Sequence, residues 1–368
     1  MKKTIALIIT LVITLSAALT GCGYTYKELN LRAKFDQSLK GTTLTVYNWG
    51  EYISDGEDDS MDVNKEFEKL TGIKVKYLNY VSNETMYSQI KSAGVSYDII
   101  IPSDYMIERL KNEDMLQKID TSKIPNYDLI DSKYKGLFFD EKDEYSVPYN
   151  VGMVGIVYNE KLTGANIKHS WNVLWDPKYK DMALNFDNPR DAFMTAQMIL
   201  GQDLNTTNKA DWDAAAELLK TGKSNLQDYV MDEVFSKMET GEASVAPYYA
   251  GDCLTMMDIN KDLKFFYPEE GTNIFVDSIC IPKNAKNVEA ALMYINFLLE
   301  PDVATANAEY LGYASPNTAV VNNKDYCYYR NEILYPAESD MPKVQYYHDI
   351  DTDTRTYYEK LWSEVKLH

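Results

Sequence analysis

Apolar and polar positions alternate in two different periods along the chain after position 41. Thr42–Tyr47 is short, apolar and rich in β-branched residues, which predicts a strand. Val63, Phe67 and Leu70 then recur at helical spacing. Because Gly72 follows directly, the pattern predicts a helix that ends just before it.

The same order of elements continues downstream. Ile73–Tyr80 predicts a second strand, and Asn83 is predicted to cap a helix that carries Met86 and Ile90. Tyr97–Ile101 is a continuous apolar run of the kind that lies inside a parallel sheet. The remaining predicted elements are a helix capped by Ser103, a strand at Val151–Tyr158, and helices at 287–299, 301–311 and 354–365. This alternation predicts an α/β fold with an open, mostly parallel sheet.

The first 22 residues carry a targeting pattern. Lys2 and Lys3 precede an apolar run that is too short for a confident membrane span. The run ends in Leu19-Thr20-Gly21-Cys22, which resembles a bacterial lipoprotein cleavage box. Residues 1–21 are therefore predicted to be a signal peptide, Cys22 the lipidated residue, and 22–41 a polar tether. A plain N-terminal anchor helix is the alternative.

Charge and composition narrow the class of function. The chain has 368 residues, 45% hydrophobic and 25% charged, a globular balance that fits two domains or one large α/β unit. Lys and Arg number 37 against 56 Asp and Glu, a net charge of −19, so nucleic acid is not an expected partner. Tyrosine, at 30 copies, predicts an extensive aromatic core, an aromatic-lined site, or both.

Cysteine and histidine give no metal pattern. Cys253, Cys280 and Cys327 lie far apart in sequence, and the chain has three histidines. A zinc site is therefore not expected, and no cofactor is predicted. We expect three small buried thiols, while one disulfide with one free thiol stays open.

Aromatic and acidic residues follow several predicted strands. In open α/β sheets, ligands bind beyond the carboxyl ends of the strands. The residues at those positions are Trp49, Glu51, Tyr52, Ser103, Tyr105, Asn188, Asp191, Tyr249, Asp252, Phe275 and Asp277. Ring faces and carboxylates without a basic cluster are suited to enclosing an ammonium group.

Several stretches in order resemble one family. They are Val46–Tyr52, Thr71–Val75, Ser82–Tyr87, Tyr97-Asp98 with Pro102-Ser103, Ser146–Tyr149, Leu174–Tyr179, Ala285–Asn287, Ile295–Leu299, and Gly312-Tyr313 with Pro316-Asn317. From Leu44 to the C-terminal helix, the chain resembles the spermidine/putrescine-binding proteins of polyamine ABC importers.

The resemblance implies a two-lobed periplasmic-binding-protein fold of type II, with the ligand in the cleft between the lobes. The first lobe is expected at 42–149 and 275–321, and the second at 150–274 and 322–368. Such a protein is a monomer outside the cytoplasm, held on the membrane here by Cys22. It captures a polyamine by hinge closure and delivers it to an ABC permease without catalysis.

The family's binding positions map onto this chain with some changes. Trp49, Tyr52, Tyr105 and Tyr313 match its aromatic walls, and Tyr249 and Phe275 replace tryptophans. Ser103 and Asp277 match a polar contact and an amine-binding acid. Asn188 and Asp191 replace two acids of spermidine binders, whereas Glu51 and Asp252 match putrescine-preferring members, and Tyr347 falls closest to a glutamine of spermidine binders. The choice between putrescine and spermidine therefore stays open.

Other functions are weighed on the same residues. Glu51 and Asp191 could serve as the carboxylate pair of a glycan hydrolase. Tyr248 and Tyr249 form an adjacent pair of the kind used by ferric-ion receptors, and a receptor for another cationic solute or a sensor is also compatible. Because no histidine falls at the predicted site, affinity is expected to change little between about pH 6 and 8.

Overall fold

The computed structural model describes residues 29–92 and 94–368. In this part of the chain the strands are β1 (Thr43–Trp49), β2 (Lys74–Tyr80), β3 (Ile99–Ile100), β4 (Ser146–Asn159), β5 (Ala183–Phe186), β6 (Leu226–Val230), β7 (Val245–Tyr249), β8 (Leu263–Phe266), β9 (Thr272–Cys280) and β10 (Val344–Gln345). The predicted signal peptide and Cys22 lie outside the described residues.

The helices lie between these strands. They are α1 (Val63–Thr71), α2 (Asn83–Lys91), α3 (Asp104–Asn112), α4 (Glu160–Thr163), α5 (Pro189–Ile199), α6 (Lys209–Lys223), α7 (Glu233–Thr240), α8 (Ala250–Ile259), α9 (Val288–Leu298), α10 (Pro301–Leu311), α11 (Thr318–Val321) and α12 (Thr352–Leu367). Short 3₁₀ helices occupy Glu57–Asp59, Thr121–Lys123, Pro125–Leu129, Ser132–Tyr134, Trp171–Trp175 and Pro177–Tyr179. Across the described ranges, we find no helix with the length and apolar character needed to span a membrane.

The sheet has two parallel flanks joined by two long central strands. Its order is β2-β1-β3-β9-β4-β7-β5-β6, with β8 and β10 attached to β4 and β9. The flanks are parallel as predicted, but β9 runs antiparallel to β3, and β4 runs antiparallel to β7 and β9. Strand β4 pairs with β9 from Ser146 to Met153 and with β7 from Val154 to Tyr158, so one strand serves both halves.

The local predictions are mostly confirmed. Helix α1 ends just before Gly72, as predicted, and Gly72 takes a left-handed φ of 71° that a glycine adopts without strain. The N-cap of α2 is Ser82, whose hydroxyl accepts from the Thr85 N–H, so the predicted cap at Asn83 was wrong. Asn83 is instead buried, and its amide turns toward neighbouring polar groups.

Apolar residues form separate cores on the two halves of the sheet. The first core draws on positions 44–149 and 279–313, and contains Phe67 and Phe297. The second core draws on positions 154–266 and 347–365, and contains Trp171 and Trp212. Because β4 passes from one core to the other, residues at its centre lie between these two cores.

The cysteine prediction is only partly confirmed. Cys253 and Cys280 are buried, as small apolar side chains usually are. Cys327, however, is exposed. It lies between α11 and β10, where the structure has turns rather than a buried helix face.

Candidate functional site

The first acid of the site is fixed by the central strands. Asp277 lies on β9 opposite Asn150 of β4, and its side chain is buried. The Tyr52 hydroxyl donates to Oδ2 of Asp277 at 2.5 Å. The other oxygen, Oδ1, has no hydrogen-bond partner among the described residues. Burial is the main cause that raises the pKa of Asp277 to about 6, and the Tyr52 and Ser103 hydroxyls partly oppose that shift.

The second acid joins elements of both halves. Asp252 lies in the first turn of α8, and Tyr313 lies just after α10. The Tyr313 hydroxyl donates to Oδ2 of Asp252 at 2.9 Å. Burial raises the pKa of Asp252 to about 7. Beside this bond, Gly251 and Gly312 lie in direct contact, since a Cβ on Gly251 would meet the Gly312 carbonyl oxygen at 2.9 Å. The two halves therefore touch here.

The third acid is held by the second half alone. Asp191, in the first turn of α5, is buried and accepts from the Tyr249 hydroxyl at 2.7 Å and the Tyr347 hydroxyl at 3.0 Å. Burial raises its pKa, and the nearby Arg190 guanidinium partly opposes that shift. Arg190 itself stacks over the Tyr347 ring, 4.5 Å from its centroid. Both oxygens of this carboxyl are thus already occupied.

An aromatic floor connects the three acids. Asn150, Gly152 and Val154 lie at alternate positions of β4 and therefore on one face. Their partners on the adjacent strands are Asp277, Phe275 and Tyr249. The Phe275 ring lies across Gly152, where a Cβ would come within 2.2 Å of the ring. Phe275 also packs edge-on against Tyr249, with ring centroids 5.8 Å apart.

These residues form one continuous set, which we call the acid–tyrosine cluster. Its members are Tyr52, Asp191, Tyr249, Asp252, Phe275, Asp277, Tyr313 and Tyr347. Burial holds the pKa of each of the four tyrosines well above its ordinary value, so the hydroxyls keep their protons and act as donors. Within the described ranges, none of the three acids forms a salt bridge. The cluster therefore offers buried negative charge together with ring faces.

Three further predicted residues lie along one side of this cluster. The Asn83 amide donates to Ser103 Oγ and to the Tyr105 hydroxyl, both at 3.1 Å. Tyr105 packs edge-on against Tyr347, with ring centroids 6.4 Å apart. Trp49 is half-buried, and its indole N–H donates to the Ile101 carbonyl at 3.0 Å, directly before Pro102 and Ser103.

Two predicted residues have a different environment. Asn188 caps α5, because its Oδ1 accepts from the Arg190 N–H at 3.0 Å. Glu51 is exposed in a turn with φ of 49°, and the described residues provide no hydrogen bond between it and the cluster. The structure therefore brings together ten of the twelve predicted binding residues, while the ligand role of all twelve stays a prediction.

Sequence reasoning missed or undervalued some members of the site. The sequence predicts a helix cap at Asn83, because its position next to Ser82 fits that role equally well. Arg190 carries no pattern that would place it against an aromatic ring. Tyr347 lies in a segment without helical or strand periodicity, and only the family resemblance drew attention to it.

The fold has two packed bodies, strands that cross between them, and the acid–tyrosine cluster at the crossing. These features define the class of two-lobed solute-binding proteins, so the predicted type II fold is confirmed. The chain belongs to the family of bacterial extracellular solute-binding proteins, whose model matches residues 96–328. Among the residues described, no group of three or more His, Cys, Asp and Glu side chains is placed to hold a metal ion.

Individual relatives agree with this family. A spermidine/putrescine-binding periplasmic protein of Salmonella typhimurium is 36% identical over 88% of this chain and 91% of its own length. A putative spermidine/putrescine ABC transporter protein from Listeria monocytogenes has a TM-score of 0.82 at 38% identity, covering 89% of this chain and 99% of its own. The TpPotD lipoprotein of Treponema pallidum has a TM-score of 0.78 at 28% identity, covering 89% of this chain and 100% of its own.

Proposed function

We propose that this protein captures a polyamine, putrescine or spermidine, outside the cytoplasm and delivers it to an ABC permease. The observation that carries the proposal is the set of three carboxyls, two buried and one half-buried, whose hydrogen bonds in the cluster come from neutral tyrosine hydroxyls. A buried carboxylate without a cationic partner is costly, and an ammonium group would remove that cost. The names of the relatives support a polyamine as the source of the ammonium groups.

The shape of the floor supports an elongated ligand. From Asn150 to Val154, β4 spans about 13 Å at about 3.3 Å per residue. An extended chain advances about 1.2 Å per bond, so a triamine of nine bonds would span about 11 Å and a diamine of five bonds about 6 Å. One ammonium would meet the free Oδ1 of Asp277, while methylenes would pack on Phe275, Tyr249 and Trp49. A second ammonium would approach Asp252 or Asp191.

Closure follows from the contacts that span the two halves. The bond from Tyr313 to Asp252 and the contact of Gly251 with Gly312 join α8 to the segment after α10. A ligand that touches both halves stabilises this arrangement, because its contacts exist together only when the halves meet. The closed surface would then be the form that the permease recognises.

The remaining assignments concern anchoring and lobe boundaries. We place a signal peptide at 1–21 and a lipid on Cys22, which the lipoprotein relative of Treponema pallidum supports. The sequence predicts the first lobe at 42–149 and 275–321, and the second at 150–274 and 322–368. Residues 322–335 pack with the first lobe through Tyr326 and Leu334, so we place the last crossing near β10 rather than at 322.

Calorimetric titration tests the proposal. The protein without residues 1–22 is titrated with putrescine, spermidine and spermine, and with a neutral diol of matching length as the control. We expect saturable binding of at least one polyamine and none of the diol. Absence of heat for all three amines would refute polyamine capture. Ranking the amines would also decide between putrescine and spermidine.

A further inference from the structure

The segment predicted to be part of a free tether lies against the protein body. From Leu29 to Phe35, half-buried and exposed side chains alternate, and the exposed ones are Asn30, Arg32 and Lys34. Leu29, Leu31 and Phe35 pack against the first core, as does Leu39 further on. An alternation of period two is typical of an extended segment with one face buried. We call residues 29–39 the N-terminal strap.

A buried acid holds the strap by its backbone. Glu300, directly before α10, is fully buried. Its carboxylate accepts from the Arg32 N–H at 2.6 Å, from the Ala33 N–H at 2.8 Å and from the Asn126 amide at 2.7 Å. Two of its three donors thus belong to the strap. Without the strap, this carboxylate would lose most of its hydrogen bonds, which is costly for a buried charged group.

Further contacts fix both sides of the strap. Asp302 accepts from the Asn30 N–H at 2.9 Å, and the Arg32 guanidinium forms a two-point ion pair with Asp128, both distances being 2.6 Å. Phe35 packs edge-on against Phe297 of α9, with ring centroids 5.6 Å apart. Glu300 and all of these partners lie in or beside the first core, so the strap is part of the first lobe alone.

We propose that the strap positions the first lobe on the membrane, an inference that rests on the proposed lipid at Cys22. Residues 22–28 carry the chain from that lipid to Leu29, the first residue that the structure describes, a distance of seven residues. Even at full extension of about 3.6 Å per residue, they reach no more than about 25 Å. The surface around the start of α10 therefore faces the bilayer at short range.

This arrangement divides the work between the lobes. The first lobe is held close to the membrane by the short segment 22–28, which joins the lipid to the N-terminal strap. The second lobe carries no such attachment in the described residues, so hinge closure moves it relative to both the first lobe and the bilayer. A free tether over the whole of 22–41 would reach about 70 Å and would leave the orientation undefined.

The test uses the full lipidated protein in liposomes that carry a surface-bound acceptor dye. A donor dye is placed at Lys123→Cys, on the first lobe and shortly before Asp128 in sequence, or at Lys209→Cys, on the second lobe, in a Cys327→Ser background. We expect stronger energy transfer from position 123 than from position 209. The strap is released by Leu31→Asp with Phe35→Asp, and Lys34→Asp, on the exposed side of the same segment, is the matched control.

Release should at least roughly halve the difference between the two dye positions and should open the strap to protease, since a freed segment samples many orientations. The Lys34→Asp control should behave like the parent. Equal transfer from both positions in the parent, or an unchanged difference after release, would overturn the inference. If the double variant does not fold, Arg32→Glu, which places like charge beside Asp128, provides the same test.

Two controls keep this inference separate from the proposals beneath it. Cys22→Ala protein should not partition into liposomes, and if it does so as well as the parent, the lipid proposal itself fails. Polyamine titration of the strap variants should match the parent, because the strap does not contact the acid–tyrosine cluster. A loss of the strap effect with intact binding would therefore count against the strap and not against polyamine capture.

Discussion

The two ends of the acid–tyrosine cluster differ in how they satisfy a buried carboxyl. At the first-lobe end, Asp277 accepts one tyrosine hydroxyl, from Tyr52, and its Oδ1 is left without a partner. At the second-lobe end, Asp191 accepts two, from Tyr249 and Tyr347, and lies near the Arg190 guanidinium. Ser103 also lies close enough to lower the pKa of Asp277, but within the described residues Oδ1 has no partner at hydrogen-bond distance and angle, whereas both oxygens of Asp191 have one.

This difference indicates which acid does most to hold the ligand. A buried carboxyl with a vacant oxygen gains a full charge-assisted hydrogen bond from an ammonium group. A carboxyl that already has two donors and a nearby cation gains less. We therefore expect Asp277 to anchor the ligand and Asp191 to adjust its position.

The largest expected effect comes from removing the anchor. Asp277→Asn should weaken polyamine binding by about 3 kcal/mol, or about 150-fold, because truncating one member of a buried charge pair typically costs 2–5 kcal/mol. Asp191→Asn should cost only about 1 kcal/mol, or about fivefold, because its environment already supplies neutral donors and positive charge. Calorimetric titration of both variants with the same polyamine measures the two losses.

The ratio of the affinity losses in Asp277→Asn and Asp191→Asn tests whether the two acids differ as expected. Thermal unfolding without ligand serves as the control for misfolding. If Asp191→Asn lost as much affinity as Asp277→Asn, the vacant oxygen on Asp277 would have no special role. Affinity of Asp277→Asn within twofold of the parent would remove Asp277 from the site altogether.

The contact between the two halves, at Gly251 and Gly312, gives the second largest expected loss of affinity. In Gly251→Ala, the added Cβ would lie 2.9 Å from both the Gly312 carbonyl oxygen and the Tyr313 ring. Overpacking of this kind costs about 2 kcal/mol, so affinity should fall about 30-fold through loss of the closed state. Alanine suits the first turn of α8 better than glycine, and the open protein should stay folded.

Gly94→Ala provides the matched control, since its Cβ would meet no atom within 4 Å. Small-angle scattering with and without polyamine reports closure directly. We expect the parent and Gly94→Ala to contract on ligand addition and Gly251→Ala to contract less. Full contraction of Gly251→Ala with normal affinity would show that the halves do not meet at this point.

The fold was largely readable from local patterns, and the departures have physical causes. The predicted bounds of α10, 301–311, match the structure, because Pro301 and Gly312 mark both of its ends. Strand β4 begins five residues earlier than predicted, since its pairing partner β9 lies over 120 residues away in sequence. The strap was taken for a tether on its mixed charge, although its alternation from Leu29 to Phe35 was present in the sequence.

The site was readable in its residue types but not in its pairings. The three acids could be named from strand ends and family resemblance. That Tyr52 would bond Asp277, 225 positions away, has no local signature. Nor could the sequence show the raised pKa values of Asp252 and Asp277, which favour a pH-dependent affinity over the predicted flat response between about pH 6 and 8.

The raised pKa values of Asp252 and Asp277 give the third effect, a dependence of affinity on pH. In the free protein, the pKa of Asp252 is about 7 and that of Asp277 about 6. A bound ammonium favours the ionised carboxyls, so binding releases protons, and affinity is full above these pKa values and falls below them. From pH 8 to pH 6, the loss should be about tenfold from Asp252 and about twofold from Asp277, or about 20-fold together.

Titrations at pH 6, 7 and 8 in buffers of different ionisation enthalpy would measure both the affinity and the protons released. The polyamine stays cationic throughout, since alkyl ammonium groups titrate near pH 10. Asp252→Asn should flatten the response to about twofold. A parent affinity that is constant across this range would contradict the raised pKa of Asp252.

The smallest expected effect concerns the donors and needs no ligand. Tyr52→Phe removes the hydroxyl that bonds Asp277, whereas Tyr249→Phe leaves Asp191 with the hydroxyl of Tyr347. At pH 7.5, Asp277 is largely ionised, and a buried carboxylate that loses its donor should lower the free energy of unfolding by about 2 kcal/mol. The loss in Tyr249→Phe should be about 1 kcal/mol, because one donor remains. Urea unfolding at matched m-values measures the difference. Both substitutions keep the ring and its packing, so the difference reports the hydroxyls alone.

An equal or larger loss of stability in Tyr249→Phe would mean that the Tyr347 hydroxyl does not compensate for the missing hydrogen bond to Asp191. The distinction between the two ends of the cluster would then rest on charge rather than on hydrogen bonding.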